Sequence, residues 1–182
     1  MASEREHQHK IAQLDHAGLI ALWQAIEDDA PMEWAPGKAL EYLVLRAFEL
    51  EGAAVRWPYI VEIGQEEVEQ IDGVVYTGGL SCLLECKDTA QRTNVEPIAK
   101  LRNQLLRRPS SAIGLVVSKS GFTEAAIILA RFLAPQTVLL WNGDELSLAL
   151  QSRTMRPSLV AKHRKCVETG LPNFNITEEG IS

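Results

Sequence analysis

Two adjacent glycines, Gly78-Gly79, divide residues 70–87 into a pair of largely apolar runs: Ile71-Asp72-Gly73-Val74-Val75-Tyr76-Thr77 before them and Leu80-Ser81-Cys82-Leu83-Leu84-Glu85-Cys86-Lys87 after them. Adjacent glycines supply the positive backbone angles of a two-residue hairpin turn, and the flanking apolar residues suit half-buried strands. The turn sets the register. With Gly78 and Gly79 as the loop, Thr77 faces Leu80, and counting outward one pair at a time places Asp72 opposite Glu85. Alternation with period two then puts Glu85 and Lys87 on one face and Cys82, Leu84 and Cys86 on the other. Such a hairpin gathers two carboxylates and one ammonium group, with an apolar strip behind them.

Hard cations such as magnesium want oxygen ligands and accept a few carboxylates plus water. A lysine two residues along the strand can meet the charge that develops on an attacked phosphate. The same residues also suit a surface hairpin carrying a cross-strand ion pair. Glu-x-Lys alone does not separate these readings, so the surrounding elements have to.

Residues 4–29 read as one amphipathic helix on Ile11, Leu14, Leu19, Leu22, Trp23 and Ile26, with His7, His9 and His16 facing solvent. A second helix starts near Pro36-Gly37-Lys38 and stops before Gly52, burying Leu40, Leu43, Val44, Ala47 and Leu50. Glu41 lies one step off that stripe, placed either to lean into a site or to pair with a nearby lysine. Residues 53–63 resemble a strand interrupted by Trp57-Pro58, and Gly64-Gln65-Glu66-Glu67 reads as an acidic link into the hairpin. Glu69, offset by three from Asp72, points away from it in a regular strand. After Lys87 a polar loop leads to a helix over 95–108, a buried strand over 112–117, a helix over 124–133, a strand over 137–141 and a short helix over 144–150. The last part, 151–182, is a basic tail with a helix after Pro157 and a loose end past Glu168. Helices before and after a mixed sheet indicate an α/β domain with both faces covered.

The net charge of −6 averages two unlike parts. Residues 1–72 hold fifteen Asp and Glu against five Lys and Arg, whereas residues 73–182 hold nine against thirteen. The basic surplus lies downstream of the hairpin, where a polyanion can approach. A hydrophobic fraction of 46% with 23% charged residues argues against wholesale disorder. No apolar run is long enough for a membrane span and the N-terminus carries no apolar signal core, so the expectation is a soluble, cytoplasmic protein with no membrane partner. Cys82, Cys86 and Cys166 fit a reducing compartment, with Cys82 and Cys86 as buried thiols rather than a zinc pair.

The element order, with Asp72 on one hairpin strand and Glu85-Cys86-Lys87 on the next, resembles the PD-(D/E)xK nuclease superfamily, and within it the catalytic domain of Mrr-like type IV restriction endonucleases. Residues 114–123, Gly-Leu-Val-Val-Ser-Lys-Ser-Gly-Phe-Thr, look like that family's strand, polar loop and helix start, and Trp141-Asn142-Gly143-Asp144-Glu145-Leu146 looks like its closing turn. The resemblance implies a restriction-endonuclease-like αβββαβ core at 35–150, preceded by an N-terminal helix and linker at 1–34 and followed by the tail at 151–182. It implies that Asp72 and Glu85, with the carbonyl of Cys86 and with Glu41, hold Mg²⁺, or Mn²⁺ as a substitute, and that Lys87 orients the attacking water. Ile71 stands where many members have proline. On this reading the chain is a Mg²⁺-dependent DNA endonuclease whose phosphate contacts are Arg92, Lys100, Arg102, Arg107, Arg108 and Lys119, and whose N-terminal helix brings two copies together. The alternatives are a non-catalytic nucleic-acid-binding or protein-interaction module on the same fold, and a structure-specific nuclease of the Holliday-junction type.

Overall fold

The structure, a computed structural model, describes residues 4–31 and 33–178; the Met-Ala-Ser start and the last four residues of the tail lie outside them. Its elements run α1 (Glu4–Ala12), α2 (His16–Glu27), α3 (Lys38–Leu50), β1 (Ala54–Arg56), β2 (Tyr59–Ile63), β3 (Glu66–Ile71), β4 (Gly73–Thr77), β5 (Leu80–Lys87), α4 (Val95–Leu105), β6 (Ala112–Ser118), α5 (Glu124–Arg131), β7 (Val138–Asn142), α6 (Gly143–Ser152) and α7 (Met155–Thr169). Five strands form the main sheet in the order β1-β4-β5-β6-β7. It is antiparallel from β1 to β5 and parallel from β5 to β7, the mixed α/β arrangement expected.

The glycine turn sets the geometry at its centre. Gly78 and Gly79 have φ of 56° and 78°, the left-handed pair that a two-residue hairpin requires. Thr77 pairs with Leu80, and the ladder continues to Gly73 opposite Leu84. One step further the chain leaves the ladder at Asp72, whose Oδ2 accepts a hydrogen bond from the backbone N–H of Cys86 at 2.9 Å.

Each face of the sheet carries its own helices. Cys82, Leu84, Leu115, Val117 and Trp141 pack with α1, α2, α3, α6 and α7. Val74, Leu83, Val116 and Leu140 pack with α4 and α5 through Ile98, Leu101, Leu105, Ala126 and Ala130. β6 is therefore covered on both sides, which is why it reads as an unbroken apolar run. Helix α3 lies between the sheet and the α1–α2 pair and buries Tyr42, Leu45 and Phe48 as well as Leu40, Leu43, Val44 and Ala47 of its expected stripe, with Leu50 half-buried.

The structure departs from the sequence reading in four places. The single helix over 4–29 is two, because Asp15 caps α2 by accepting from the N–H of Gly18 at 2.9 Å. Of the three histidines expected to face solvent, His7 is buried, stacked on Trp34 with ring centroids 5.2 Å apart. The acidic link is part of a second, two-stranded sheet, β2 with β3. This hairpin is inserted between the first and second strands of the αβββαβ core. The end past Glu168 is held rather than loose up to residue 178: Ile176 is 1% exposed and Pro172 O accepts from the N–H of Leu140 at 2.9 Å. The clamp is the buried pair Lys162 and Glu145, with Nζ 2.6 Å from Oε1. Lys162 also donates to Phe174 O, and the N–H of Ile176 donates to Glu145 Oε1 at 3.0 Å.

Candidate active site

The carboxyl ends of parallel strands are where open α/β sheets form ligand crevices, and the acids identified from the sequence converge at that end. Asp72 closes β3 onto β4, Glu85 and Lys87 end β5, and Glu41 reaches in from the first turn of α3. All three carboxylates are buried, with relative exposures of 8% for Glu41, 6% for Asp72 and 1% for Glu85. Glu85 is shared by two ammonium groups: Lys87 Nζ stands 2.8 Å from Oε1 and Lys100 Nζ 2.7 Å from Oε2. Lys38 Nζ donates to Glu41 Oε2 at 2.7 Å.

Burying acids together raises the cost of ionising them. Burial, and then the charge of Asp72, pushes Glu41 up to about 7 against the pull of Lys38, with Glu85 adding to the rise. Asp72 is also raised, by burial and by Glu85, despite the Cys86 N–H and the two lysines Lys100 and Lys87. Burial alone lowers the Lys87 ammonium, but its hydrogen bond to Glu85 and the charges of Glu85 and Asp72 outweigh that and leave it above its ordinary value. The Cys86 thiol lies fully buried among the α3-side residues and is pushed well above its usual range by burial and then by Asp72, Glu41 and Glu85. A thiol in that state is a poor ligand for a hard cation. Cys86 can offer only its backbone. Its N–H points at Asp72, and in a strand the N–H and C=O of one residue point to the same side, so its carbonyl faces the same edge.

The segment after Lys87 is fixed by short hydrogen bonds. Lys119 N–H donates to Lys87 O at 2.9 Å, Ser120 Oγ to Thr89 O at 2.6 Å, and the hydroxyls of Thr93 and Ser118 lie 2.8 Å apart. Beside it runs a groove of about 410 Å³ lined by Lys87, Thr89, Arg92, Asn94, Glu96 and Pro97 among others. Of the six basic residues assigned to nucleic acid, Arg92 lines this groove and Lys100 enters the carboxylate cluster. Arg102 lies exposed on α4. Arg107 and Arg108 instead embrace the buried Glu69, and Lys119 is turned to Ile26 O at 3.0 Å and to Asp29 at the end of α2.

Lys100 is the residue whose place the sequence did not disclose. On α4 it shares an edge with Pro97 and Gln104, at i, i+3 and i+7 beside the apolar stripe. Gln104 is buried and donates to Gln70 O at 3.1 Å. A buried glutamine on that edge is the one signal that the edge faces the strands rather than water.

A family model described as Restriction endonuclease, the Mrr catalytic domain, matches residues 32–150. No curated protein matches the chain. Among solved structures, the small subunit of the heterodimeric restriction endonuclease R.BspD6I aligns over 89% of this chain and 92% of its own at 12% identity, with a TM-score of 0.55. A protein of unknown function, AF1548, aligns over 72% of this chain and 77% of its own at 19% identity and a TM-score of 0.47. The DNA modification-dependent restriction endonuclease AspBHI aligns over 93% of this chain but 43% of its own, at 15% identity and a TM-score of 0.47. The family match spans the main sheet, α3, α4, α5, most of α6 and every acid of the cluster, and the chain belongs to the restriction endonuclease family of Mrr catalytic domains, within the PD-(D/E)xK superfamily.

Proposed function

We propose that the chain is a metal-dependent endodeoxyribonuclease acting through Asp72, Glu85, Lys87 and Glu41. The observation that carries this reading is the buried pair of Asp72 and Glu85 at the sheet's carboxyl edge with Lys87 on Glu85 Oε1. A surface ion pair would not need two carboxylates removed from water at a cost in ionisation.

Restriction endonucleases of this family generally use divalent metals, and the donors here suit a hard cation. Asp72 keeps Oδ1 clear of the bond that Oδ2 makes, and Glu85 Oε1 is buried beside the Lys87 ammonium group at 2.8 Å. Among the described residues no three His, Cys, Asp or Glu side chains form a ready cage. That leaves two carboxylates, the Cys86 carbonyl and water, with Glu41 behind, a thin protein shell of the kind Mg²⁺ accepts. When bound, such an ion lowers the pKa of water and neutralises phosphate oxygens. The protein's own share is then clear. Asp72 is held by the Cys86 N–H, Glu85 is held by its lysines, and Lys87 stays protonated to orient water and to meet negative charge on the phosphate. Phosphates of the DNA strand would lie along the groove past Arg92.

The apolar stripe expected to join two copies, Ile11, Leu19, Leu22, Trp23 and Ile26, is buried within the chain's own core. A homodimer, which cutting both strands at once would require, therefore needs another surface. The measurement is cleavage of supercoiled plasmid with Mg²⁺, Mn²⁺ or EDTA, beside Glu85→Ala and Lys87→Ala. Metal-dependent nicking lost in both variants supports the nuclease. The absence of a ready cage equally suits a module that retains the fold to hold DNA. No cleavage, with salt-sensitive DNA retention equal in wild type and both variants, would establish that second reading.

A further inference from the structure

Glu85 is 1% exposed, yet two ammonium groups contact it, one on each carboxylate oxygen. The motif lysine, Lys87, accounts for one of them. Lys100 arrives from α4, thirteen residues further along the chain, and takes Oε2 at 2.7 Å. Glu41, Asp72 and Glu85 face Lys38, Lys87 and Lys100, so the cluster carries equal numbers of acids and lysines before any ion enters. A divalent cation adds two positive charges to that balance, and an ammonium group on a carboxylate oxygen competes with it directly.

The three lysines are not equally able to leave. Lys38 is on Glu41, with its side chain 18% exposed, and Lys87 is on the same strand as Glu85. The Lys100 side chain is 41% exposed, on a helix face, and sits one turn beyond Glu96 and Pro97, which line the groove beside Lys87. A lysine is a point charge on a flexible four-carbon stem, suited to changing partners without moving its helix.

We propose that Lys100 is an exchangeable partner of Glu85: it occupies Oε2 in the metal-free protein and, with a divalent cation in the site, turns out to a phosphate of the DNA strand in the adjoining groove. This rests on the nuclease reading for its substrate, but the exchange at Glu85 stands on its own. Lys100 orients the carboxylate in the metal-free protein and then adds its charge where the substrate brings negative charge.

The test uses the full chain and two readouts without turnover. The first is Mn²⁺ binding by titration calorimetry. The second is DNA binding in Ca²⁺ over a range of salt concentrations. Lys100→Met should bind Mn²⁺ about fivefold tighter, the size expected for releasing a part-exposed ion pair, and its DNA affinity should fall with a salt slope reduced by about one. Lys100→Arg should return both values towards wild type, and circular dichroism establishes that each variant is folded. Unchanged or weaker Mn²⁺ binding in Lys100→Met overturns the exchange. An unchanged DNA salt slope overturns the phosphate contact. If wild type cleaves plasmid and loses cleavage in Glu85→Ala while Lys100→Met binds Mn²⁺ as wild type does, only the role of Lys100 fails. A wild type that binds no Mn²⁺ at all overturns both readings.

Discussion

The clearest physical consequence of the acid cluster is a stability that falls as pH rises in the metal-free protein. Glu41 is raised from 4.5 to about 7, first by burial and then by Asp72. Between those values the unfolded chain has released a proton that the folded chain keeps, so the folded state is progressively disfavoured as pH increases. At about 1.4 kcal/mol per pH unit the full span is worth about 3 kcal/mol, of which about 2 kcal/mol falls between pH 5.5 and 8. For a chain of this size that corresponds to a fall in Tm of about 4 to 8 °C. Asp72, also raised, acts in the same direction. His7 and His163 act oppositely: burial lowers both, so their contribution is present above 6.5 and is lost as pH falls. The measurement is therefore the difference between wild type and Glu41→Gln in thermal unfolding with EDTA at each pH. Glu41→Gln should gain about 2 kcal/mol on wild type between pH 5.5 and 8, and Mg²⁺ added at pH 8 should raise the Tm of wild type. Parallel pH profiles for the two proteins would refute the placement of Glu41 in a buried acid cluster.

Three further outcomes follow from the contacts. Arg92→Ala and Arg102→Ala should each lower the salt slope of DNA binding by about one while leaving thermal unfolding unchanged; Arg108→Ala should instead lower stability by about 1 to 3 kcal/mol in urea, because Glu69, 8% exposed, loses a partner. Lys162→Met should cost about 3 to 5 kcal/mol by leaving Glu145 charged and buried, and pairing it with Glu145→Gln should recover part of that loss. Gly143→Ala drives a Cβ into Lys119 O, a backbone atom, so urea unfolding should show a loss of about 1 to 3 kcal/mol and the 118–123 loop should shift in amide exchange.

Where the sequence spoke clearly, one local device fixed the answer. Gly78-Gly79 admits one tight turn, and counting from it gave the pairs from Thr77–Leu80 to Gly73–Leu84 and turned Cys82, Leu84 and Cys86 to the α3 side, whereas Asp72, expected to pair with Glu85, stands one step past the ladder on the Cys86 N–H. Where it was silent, the deciding contact was remote in sequence. β2 and β3 are exposed along most of their length, so no alternation marks Glu66 and Glu67 as strand; their pairing with Ile63 and Glu62 does. The break at Asp15 falls inside a run whose apolar spacing continues across it, and only the cap distinguishes two helices from one. The tail looked loose from its Gly, Pro and Asn content, because nothing local shows that Lys162 and Glu145 meet in the core. Lys100 was read as a surface contact because helical spacing says which edge a residue occupies but not which strand lies across from it.

Charge shows the same contrast and narrows the DNA-facing surface. The basic surplus downstream of the hairpin counts every Lys and Arg alike, but the fold draws several of them onto acids. Arg107 and Arg108 neutralise Glu69, Lys119 meets Asp29, and Lys162 neutralises Glu145. Within residues 1–72, Lys38 holds Glu41 and Arg46 holds Glu49. Folding thus joins the acidic and basic parts of the chain across the sheet, and among the basic residues assigned to nucleic acid it leaves Arg92 and Arg102 turned to water, with Lys100 on Glu85. On the proposed nuclease reading, a phosphate backbone drawn to Arg92 in the groove beside Lys87 would be led towards Asp72 and Glu85, so the charge that attracts the polyanion would also set where along the groove a phosphate comes to rest.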